Sequence, residues 1–278
     1  MSVFAFLALV GVGLAAGFLA GLIGIGGGVL MVPFLYFFYG SGVWSGVEVA
    51  PSLAPIVAHA TSLCIIVPTA ALGAWSHHRA GLVVWRVAIP IAVGAMVAAV
   101  FGARLAPALP GEALKLGFGV VLVAAGLQLI FGRRVESGTA ERRVGLAVTV
   151  PVGMAVGLLS ALMGVGGGLV GVPLLVYVVR LDLHRVAATS LAVVAFAAAA
   201  GAGTYMVSGA GVLGRPEGSV GYVHLWAALP LAIGALAAVR VGTAVNWRMP
   251  TQRLRSIFAI FFMLMGVNLI VDNLRSIL

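Results

Sequence analysis

Long apolar runs fill almost the whole chain, and few charged residues separate them. A run of about 20 residues is long enough to cross the roughly 30 Å hydrocarbon core of a bilayer as an α-helix. Hydrophobic residues make up 62% of the 278 residues and charged residues only 8%, whereas a soluble domain needs far more charge to cover its surface. The sequence therefore predicts an all-α, multi-pass membrane protein.

Two parts of the chain, one in each half, are similar to each other. Residues 17–35 (GFLAGLIGIGGGVLMVPFL) align without gaps on residues 157–175 (GLLSALMGVGGGLVGVPLL), and ten of the 19 positions are identical. The box Ala-Thr-Ser-Leu follows in both halves, at 60–63 and at 188–191. Agreement at separate places along both halves indicates an internal duplication.

The duplication divides the chain into a first membrane repeat at 1–132, a cytoplasmic linker at 133–143 and a second membrane repeat at 144–278. Each repeat contains about five apolar segments. They span about 3–25, 28–39, 54–76, 82–105 and 112–131 in the first repeat, and about 144–165, 168–179, 186–208, 221–245 and 252–271 in the second. The second segment of each repeat is too short to cross the core alone, so we expect it to form a glycine-broken helical hairpin with the first.

The distribution of positive charge predicts how the repeats are oriented. Because five is an odd number, the two repeats should be inverted relative to each other, as in many secondary transporters. With the linker in the cytoplasm, twelve of the 16 Lys and Arg residues fall on the cytoplasmic side, in agreement with the positive-inside rule. The four on the outer side are Arg104, Lys115, Arg215 and Arg275. Counting each broken hairpin as one crossing moves arginine-rich loops outward and fits the rule less well.

Both hairpins carry the pattern GxGGGxxxVP at their predicted break. The triple glycines are Gly26, Gly27 and Gly28 in the first repeat and Gly166, Gly167 and Gly168 in the second. Without Cβ atoms the backbone can approach a ligand closely, and the helix that follows begins with unpaired N–H groups and the positive end of its dipole. These features suit an anion. Alternatively, the glycines only allow close helix packing, as Gly17 and Gly21 would.

Polar side chains in the third segment of each repeat are further candidates for the site. Thr61 and Ser62, and their counterparts Thr189 and Ser190, carry hydroxyl groups that could donate hydrogen bonds to an oxyanion. Alternatively, they bond carbonyl groups of their own helices. His59 precedes the first pair only, and it either couples proton movement to transport or is a hydrogen-bonded interfacial histidine.

Residue types argue against several other classes of function. The seven Asp and Glu residues fall in loops or at segment ends, which leaves no intramembrane carboxylate for acid–base catalysis, cation transport or metal binding. Cys64 is the only cysteine, which excludes a disulfide framework. The basic residues form no stripe suited to nucleic acid. We therefore expect no enzyme, no cofactor and no metal site. The expected partners are a small anion and the lipid bilayer, and a homodimer stays open.

Two copies of GxGGGxxxVP, each followed by an ATSL box on a chain of eight to ten apolar segments, resemble the TauE/SafE family of sulfite exporters and related transporters. The resemblance covers nearly the whole chain. It implies a multi-pass transporter of the bacterial inner membrane for sulfur-containing anions such as sulfite, a sulfonate or sulfoacetate. It does not separate export from uptake.

These observations predict a secondary transporter that alternates access around a central anion site. Both glycine breaks and both Thr-Ser pairs would form that site. The alternatives are an anion channel, which needs a continuous wet pore, and a transporter of another small organic anion.

Overall fold

The protein, seen here as a computed structural model, consists almost entirely of helices. The structure describes residues 3–40, 46–47, 49–131, 145–181, 183–248 and 250–277. The helices in these residues are α1 (Val3–Ile23), α2 (Gly28–Gly40), α3 (Ala54–Arg79), α4 (Trp85–Leu105), α5 (Gly111–Phe131), α6 (Leu146–Met163), α7 (Gly168–Tyr177), α8 (Leu183–Ser208), α9 (Leu225–Asn246) and α10 (Thr251–Ile277). The predicted linker, 133–143, lies outside the described residues.

Each apolar segment predicted from the sequence corresponds to one of these helices, with ends that differ by six residues or fewer. The second helix of each half is short, as predicted, with 13 residues in α2 and 10 in α7. Two short features were not predicted. A single 3-10 turn, Ala106–Ala108, follows α4, and a small antiparallel hairpin of β1 (Ser219–Val220) and β2 (Val223–His224) precedes α9. Both are too short to produce a recognisable sequence pattern.

Seven helices of the described residues are long and apolar enough to cross a membrane, namely α1, α3, α4, α5, α6, α8 and α9. Large apolar side chains cover their outward faces. Phe101, Leu146 and Ile233, for example, are 64%, 68% and 57% exposed. Monomeric soluble proteins rarely expose apolar surface on this scale, whereas lipid solvates it. The all-α, multi-pass membrane architecture predicted from the sequence is therefore confirmed.

The most extensive helix contacts join the two halves, because α1 packs on α9 and α4 packs on α6. A Cβ at Gly17 of α1 would collide with the backbone of Ala235, and a Cβ at Gly157 of α6 would collide with the backbone of Ala95. Gly157 is 140 positions after Gly17, and Ala235 is 140 positions after Ala95, so the two contacts involve equivalent residues. Small residues let helix backbones approach closely in membranes, and the same contact occurs twice here.

Helices α3 and α8 form the centre of the molecule. In each of them, 72% of an 18-residue apolar stretch is buried, whereas the corresponding share in α1 and α5 is 33%. The two helices pack antiparallel, since a Cβ at Gly73 would meet Leu191 while a Cβ at Gly201 would meet Leu63. Antiparallel packing of equivalent helices is what an inverted repeat requires. The orientation of each half in the bilayer and the domain boundaries stay predictions.

Candidate functional site

Each glycine break is a sharp bend between two helices. The first bend joins α1 to α2, and the second joins α6 to α7. Gly26 and Gly27 have φ angles of 84° and 79°, and Gly166 and Gly167 have φ angles of 80° each. Glycine adopts this left-handed region readily, whereas residues with a Cβ are strained there. The conformation of the bend therefore accounts for two of the three glycines in each motif.

The third glycine of each motif lies where the two bends touch. A Cβ at Gly28 would stand 2.6 Å from the Cα atom of Val165 in the second bend. In the equivalent contact, a Cβ at Gly168 would overlap the backbone of Ile25 in the first bend. All six glycines of the two motifs are buried. The structure thus brings the six predicted site glycines together at one place.

Two apolar side chains lie between the bends. Ile66 of α3 and Val194 of α8 both come within 2.9 to 3.3 Å of the position that a Cβ would take on Gly26 and on Gly166. Both residues are near the middle of helices that are 26 residues long, so the bends lie about halfway along the central helices. In this conformation, hydrocarbon occupies the space nearest to these two glycines.

The bends carry backbone N–H groups without backbone partners. Within the described residues, none of the six motif glycines donates a hydrogen bond to another main-chain group. A buried N–H group without a partner costs about 1–3 kcal/mol, so most buried N–H groups in proteins are paired. Here these N–H groups belong to the residues just before α2 and α7 and to the first residue of each helix, at the positive ends of the two helix dipoles. This is the arrangement that binds anions at helix starts in other proteins.

The two predicted threonines accept hydrogen bonds from the backbone at helix starts. The Thr61 hydroxyl accepts from the N–H of His224 at 3.0 Å, just before α9. The Thr189 hydroxyl accepts from the N–H of Val84 at 3.2 Å, just before α4. These contacts are equivalent in the two halves and fix the starts of two long helices. Because each hydroxyl accepts in these bonds, its own O–H group can still donate a hydrogen bond, and the predicted role in binding an anion stays a prediction.

The two predicted serines have buried hydroxyl groups without a hydrogen-bond partner among the described residues. This holds for Ser62 Oγ and for Ser190 Oγ. The Ser190 hydroxyl lies beside α7, 3.6 Å from the position that a Cβ would take on Gly171. A buried hydroxyl without a partner is costly, which makes both groups available to a ligand.

Ser160 is a polar residue beside the second bend that the sequence analysis did not identify. Its hydroxyl is also buried and without a partner in the described residues. Its Cβ atom is 3.2 Å from the position that a Cβ would take on Gly167. The equivalent residue in the first half is Ala20. This difference within otherwise similar motifs was the signal in the sequence that could have identified Ser160.

His59 lies beside the second bend, and its Cα atom would overlap a Cβ placed on Gly164. The side chain is fully buried, and its Nε2 atom is hydrogen-bonded to the hydroxyl of Tyr36 in α2. Its ring also faces the backbone of Leu162 in α6, although the Nδ1 atom does not reach the distance and angle of a good hydrogen bond. Sequence reasoning missed Tyr36, because the bonded residues are 23 positions apart on different helices. His59 is thus a fully buried, hydrogen-bonded histidine beside the second bend.

Three comparisons with known proteins bear on this chain. The family model described as "Sulfite exporter TauE/SafE" matches residues 9–269. A probable membrane transporter protein of Haemophilus influenzae is 28% identical over 258 residues, which cover 93% of this chain and 95% of that protein. The probable membrane transporter protein YunE of Bacillus subtilis is 25% identical over 288 residues, which cover 98% and 99%. No solved structure matches the chain.

Proposed function

Because this chain belongs to the sulfite exporter TauE/SafE family, a family of membrane transporters, we propose that it carries a small sulfur-containing anion across the membrane by alternating access. Sulfite, a sulfonate or sulfoacetate are the proposed substrates. The proposed location is the bacterial inner membrane, and the proposed transporter catalyses no chemical reaction.

The observation that carries this proposal is the meeting of two bends whose buried N–H groups have no main-chain acceptor within the described residues. A sulfur oxyanion has several oxygen atoms that accept hydrogen bonds, and its charge would be stabilised by the positive ends of α2 and α7. Binding by main-chain groups needs no buried lysine or arginine. A site without a fixed cation can release its ligand, as a transporter must on each cycle.

The serine hydroxyls would complete the site. Ser190 and Ser160 lie beside the second bend, and Ser62 is the equivalent of Ser190 in the first half. Each offers a donor that no other described group uses. His59 is the proposed proton-coupling residue, because its imidazole is buried beside the second bend and imidazole is the side chain that gains or loses a proton most readily near neutral pH.

The packing between the bends agrees with one closed state of an alternating-access transporter. Ile66 and Val194 occupy the space beside Gly26 and Gly166, which closes a direct route between the bends in this conformation. A channel needs a continuous wet pore in its open state, whereas a transporter is closed on at least one side at all times. We propose that the anion enters when one bend moves away from this apolar pair.

Transport assays in proteoliposomes test the proposal. We expect saturable uptake of labelled sulfite or a labelled sulfonate, a response to an imposed pH gradient, and no uptake of a labelled cation. Uptake of the cation, or no uptake of any sulfur oxyanion in either direction, would refute the proposed substrate class. Ion currents far above the flux expected for a carrier would favour the channel.

The glycine bends are tested by Gly27→Leu and Gly167→Leu. Both positions have positive φ angles and face neighbouring helices, so a side chain would distort the bend and displace its N–H groups. We expect both variants to insert into the membrane and to lose nearly all transport. Gly11→Leu is the control, because a Cβ there meets nothing within 4 Å. Normal transport by both bend variants would refute the site.

A further inference from the structure

A cavity of about 1330 Å³ lies apart from the glycine bends. We call it the vestibule. Its lining comes from α2, from the chain before α3, from the start of α5, and from the segment between α8 and α9. Among the described residues, none of the six motif glycines and none of the Thr-Ser hydroxyls lines it. The site proposed above therefore does not account for this cavity.

The wall of the vestibule carries two cations and one acid, Lys115, Arg215 and Glu217. The Arg215 guanidinium is held in place, because its Nε donates to the carbonyl of Val212 at 2.6 Å and its Nη1 donates to the carbonyl of Gly221 at 3.0 Å. In the described part of the chain, no ion pair joins either cation to Glu217. Among the described lining residues, the wall therefore carries two cationic groups against one acid, and neither cation is paired with that acid.

Two tyrosines one helical turn apart form the inner side of the vestibule. The Tyr36 ring lies 5.5 Å from the Lys115 Nζ atom, and the Tyr36 hydroxyl is bonded to His59. The Tyr39 hydroxyl is bonded to Nδ1 of His224 at 3.1 Å. Because His59 packs on Gly164, the Tyr36–His59 pair connects the vestibule to the second bend.

We infer that the vestibule is an anion-capture site in which Lys115 and Arg215 bind a small oxyanion loosely before it passes Tyr36 and His59 towards the bends. Positive charge in a cavity with low-dielectric walls raises the local concentration of anions and speeds their entry. The inference rests on the proposed transport function. The second half has Val176 and Val179 at the positions equivalent to the two tyrosines. It therefore does not repeat the inner wall with its tyrosine–histidine bonds.

Charge-dependent labelling of a cysteine tests the vestibule without measuring transport. Replacing Cys64, the only cysteine, with alanine gives a background in which Val49→Cys places one thiol in the vestibule lining. The rate of modification is measured with a methanethiosulfonate reagent that carries a sulfonate, and with one that carries a quaternary ammonium group. The ratio of the two rates reports the local potential.

We expect the sulfonate reagent to be favoured at position 49 and Lys115→Gln or Arg215→Gln to lower the ratio roughly fivefold at low salt. The interaction energy of two unit charges about 7 Å apart in water is close to the thermal energy. Loss of one positive charge should therefore slow the reaction of the sulfonate reagent and speed that of the ammonium reagent. High salt should remove the effect. Leu105→Cys, an exposed position at the end of α4 outside the vestibule lining, is the control and should not respond.

Transport gives the second readout. Lys115→Gln should raise KM roughly threefold for sulfite supplied from the vestibule side and leave Vmax unchanged, whereas Arg104→Gln, an exposed charge outside the vestibule lining, should change neither. A labelling ratio at position 49 that stays the same in both Lys115→Gln and Arg215→Gln would overturn the inference. Failure of the bend proposal would give a different result. In that case Gly27→Leu and Gly167→Leu would keep transport, while Lys115→Gln would still lower the labelling ratio.

Discussion

At the scale of single residues, the two halves differ where chemistry is expected. Ser160 brings a hydroxyl to the second bend, and Ala20 occupies the equivalent position beside the first. His59 carries an imidazole where Ala187 has a methyl group. A strictly symmetric site would present the same donors in both halves. The additional polar groups therefore point to a ligand that is held mainly beside the second bend.

Removal of the hydroxyls of Ser160 and Ser190 tests this interpretation. A hydrogen bond to a charged group contributes about 1.5–3 kcal/mol, so Ser160→Ala and Ser190→Ala should each raise KM for the transported anion roughly tenfold to a hundredfold. Ser76→Ala is the control, because this hydroxyl donates to the carbonyl of Leu72 in the same helix at 2.9 Å. The measurement is initial uptake against anion concentration. An unchanged KM in both variants would exclude the serines from the site.

His224 gives a prediction about stability and pH. Burial lowers the pKa of His224 from 6.5 to about 4. Between these two values the unfolded chain binds a proton that the folded protein excludes, so the stabilising effect of the neutral histidine is present above pH 6.5 and is lost as the pH falls towards 4. We expect the unfolding temperature of the purified protein to decrease over this window. The decrease should be smaller in His224→Gln than in the wild-type protein, because the variant lacks the buried imidazole.

At the scale of helices, hydropathy and glycine placement were sufficient to predict most of the fold. The short second helix of each half was predicted because only about a dozen apolar residues separate the triple glycine from the next polar stretch. The roles of Thr61 and Thr189 were not predictable. Thr61 bonds a backbone group 163 positions away, and Thr189 bonds one 105 positions away. Such contacts depend on how helices of different halves pack, which periodicity within one segment does not encode.

Glycines at the interfaces between the halves make a prediction about stability. A Cβ at Gly17 or at Gly157 would overlap a backbone carbonyl of the partner helix, and backbone can yield less than a flexible side chain. Gly17→Ala and Gly157→Ala should each destabilise the protein by about 1–3 kcal/mol, the usual cost of overpacking. Gly11→Ala, on the outer face of α1, should be neutral or slightly stabilising because alanine favours helix. Thermal unfolding in detergent measures the stability of all three variants. Equal unfolding temperatures for the three would contradict the close packing at Gly17 and Gly157.

At the scale of the whole molecule, the contacts between the halves occur in equivalent pairs. Gly28 packs on Val165 as Gly168 packs on Ile25, and Ile66 and Val194 share the centre. The sequence predicted the duplication but not which helices would meet. In the structure, each half supplies a helix that packs on a helix of the other half. The proposed anion site and the apolar side chains that close it could not be recognised in the sequence, because both depend on contacts between the two halves.

Equivalent residues provide a test of the inverted orientation. Ala108 follows α4 and Arg248 follows α9, at equivalent positions 140 residues apart, and both are exposed. If each half crosses the membrane five times, these two positions lie on opposite faces. If each broken hairpin counts as one crossing, the halves are parallel and both positions lie on the same face. The antiparallel packing of α3 on α8 favours the first arrangement.

We therefore expect a membrane-impermeant thiol reagent added to intact cells to label Ala108→Cys but not Arg248→Cys in the background without Cys64. Arg248→Cys should become labelled only after the membrane is permeabilised, because the positive-inside rule places the arginine-rich ends in the cytoplasm. Permeabilised cells expressing each variant provide the control for thiol reactivity. Labelling of both positions from the same side would contradict the inverted repeat. In that case the two bends would not be related by inversion. There would then be no reason to expect that one bend opens the proposed central site to one face of the membrane and the other bend opens it to the opposite face.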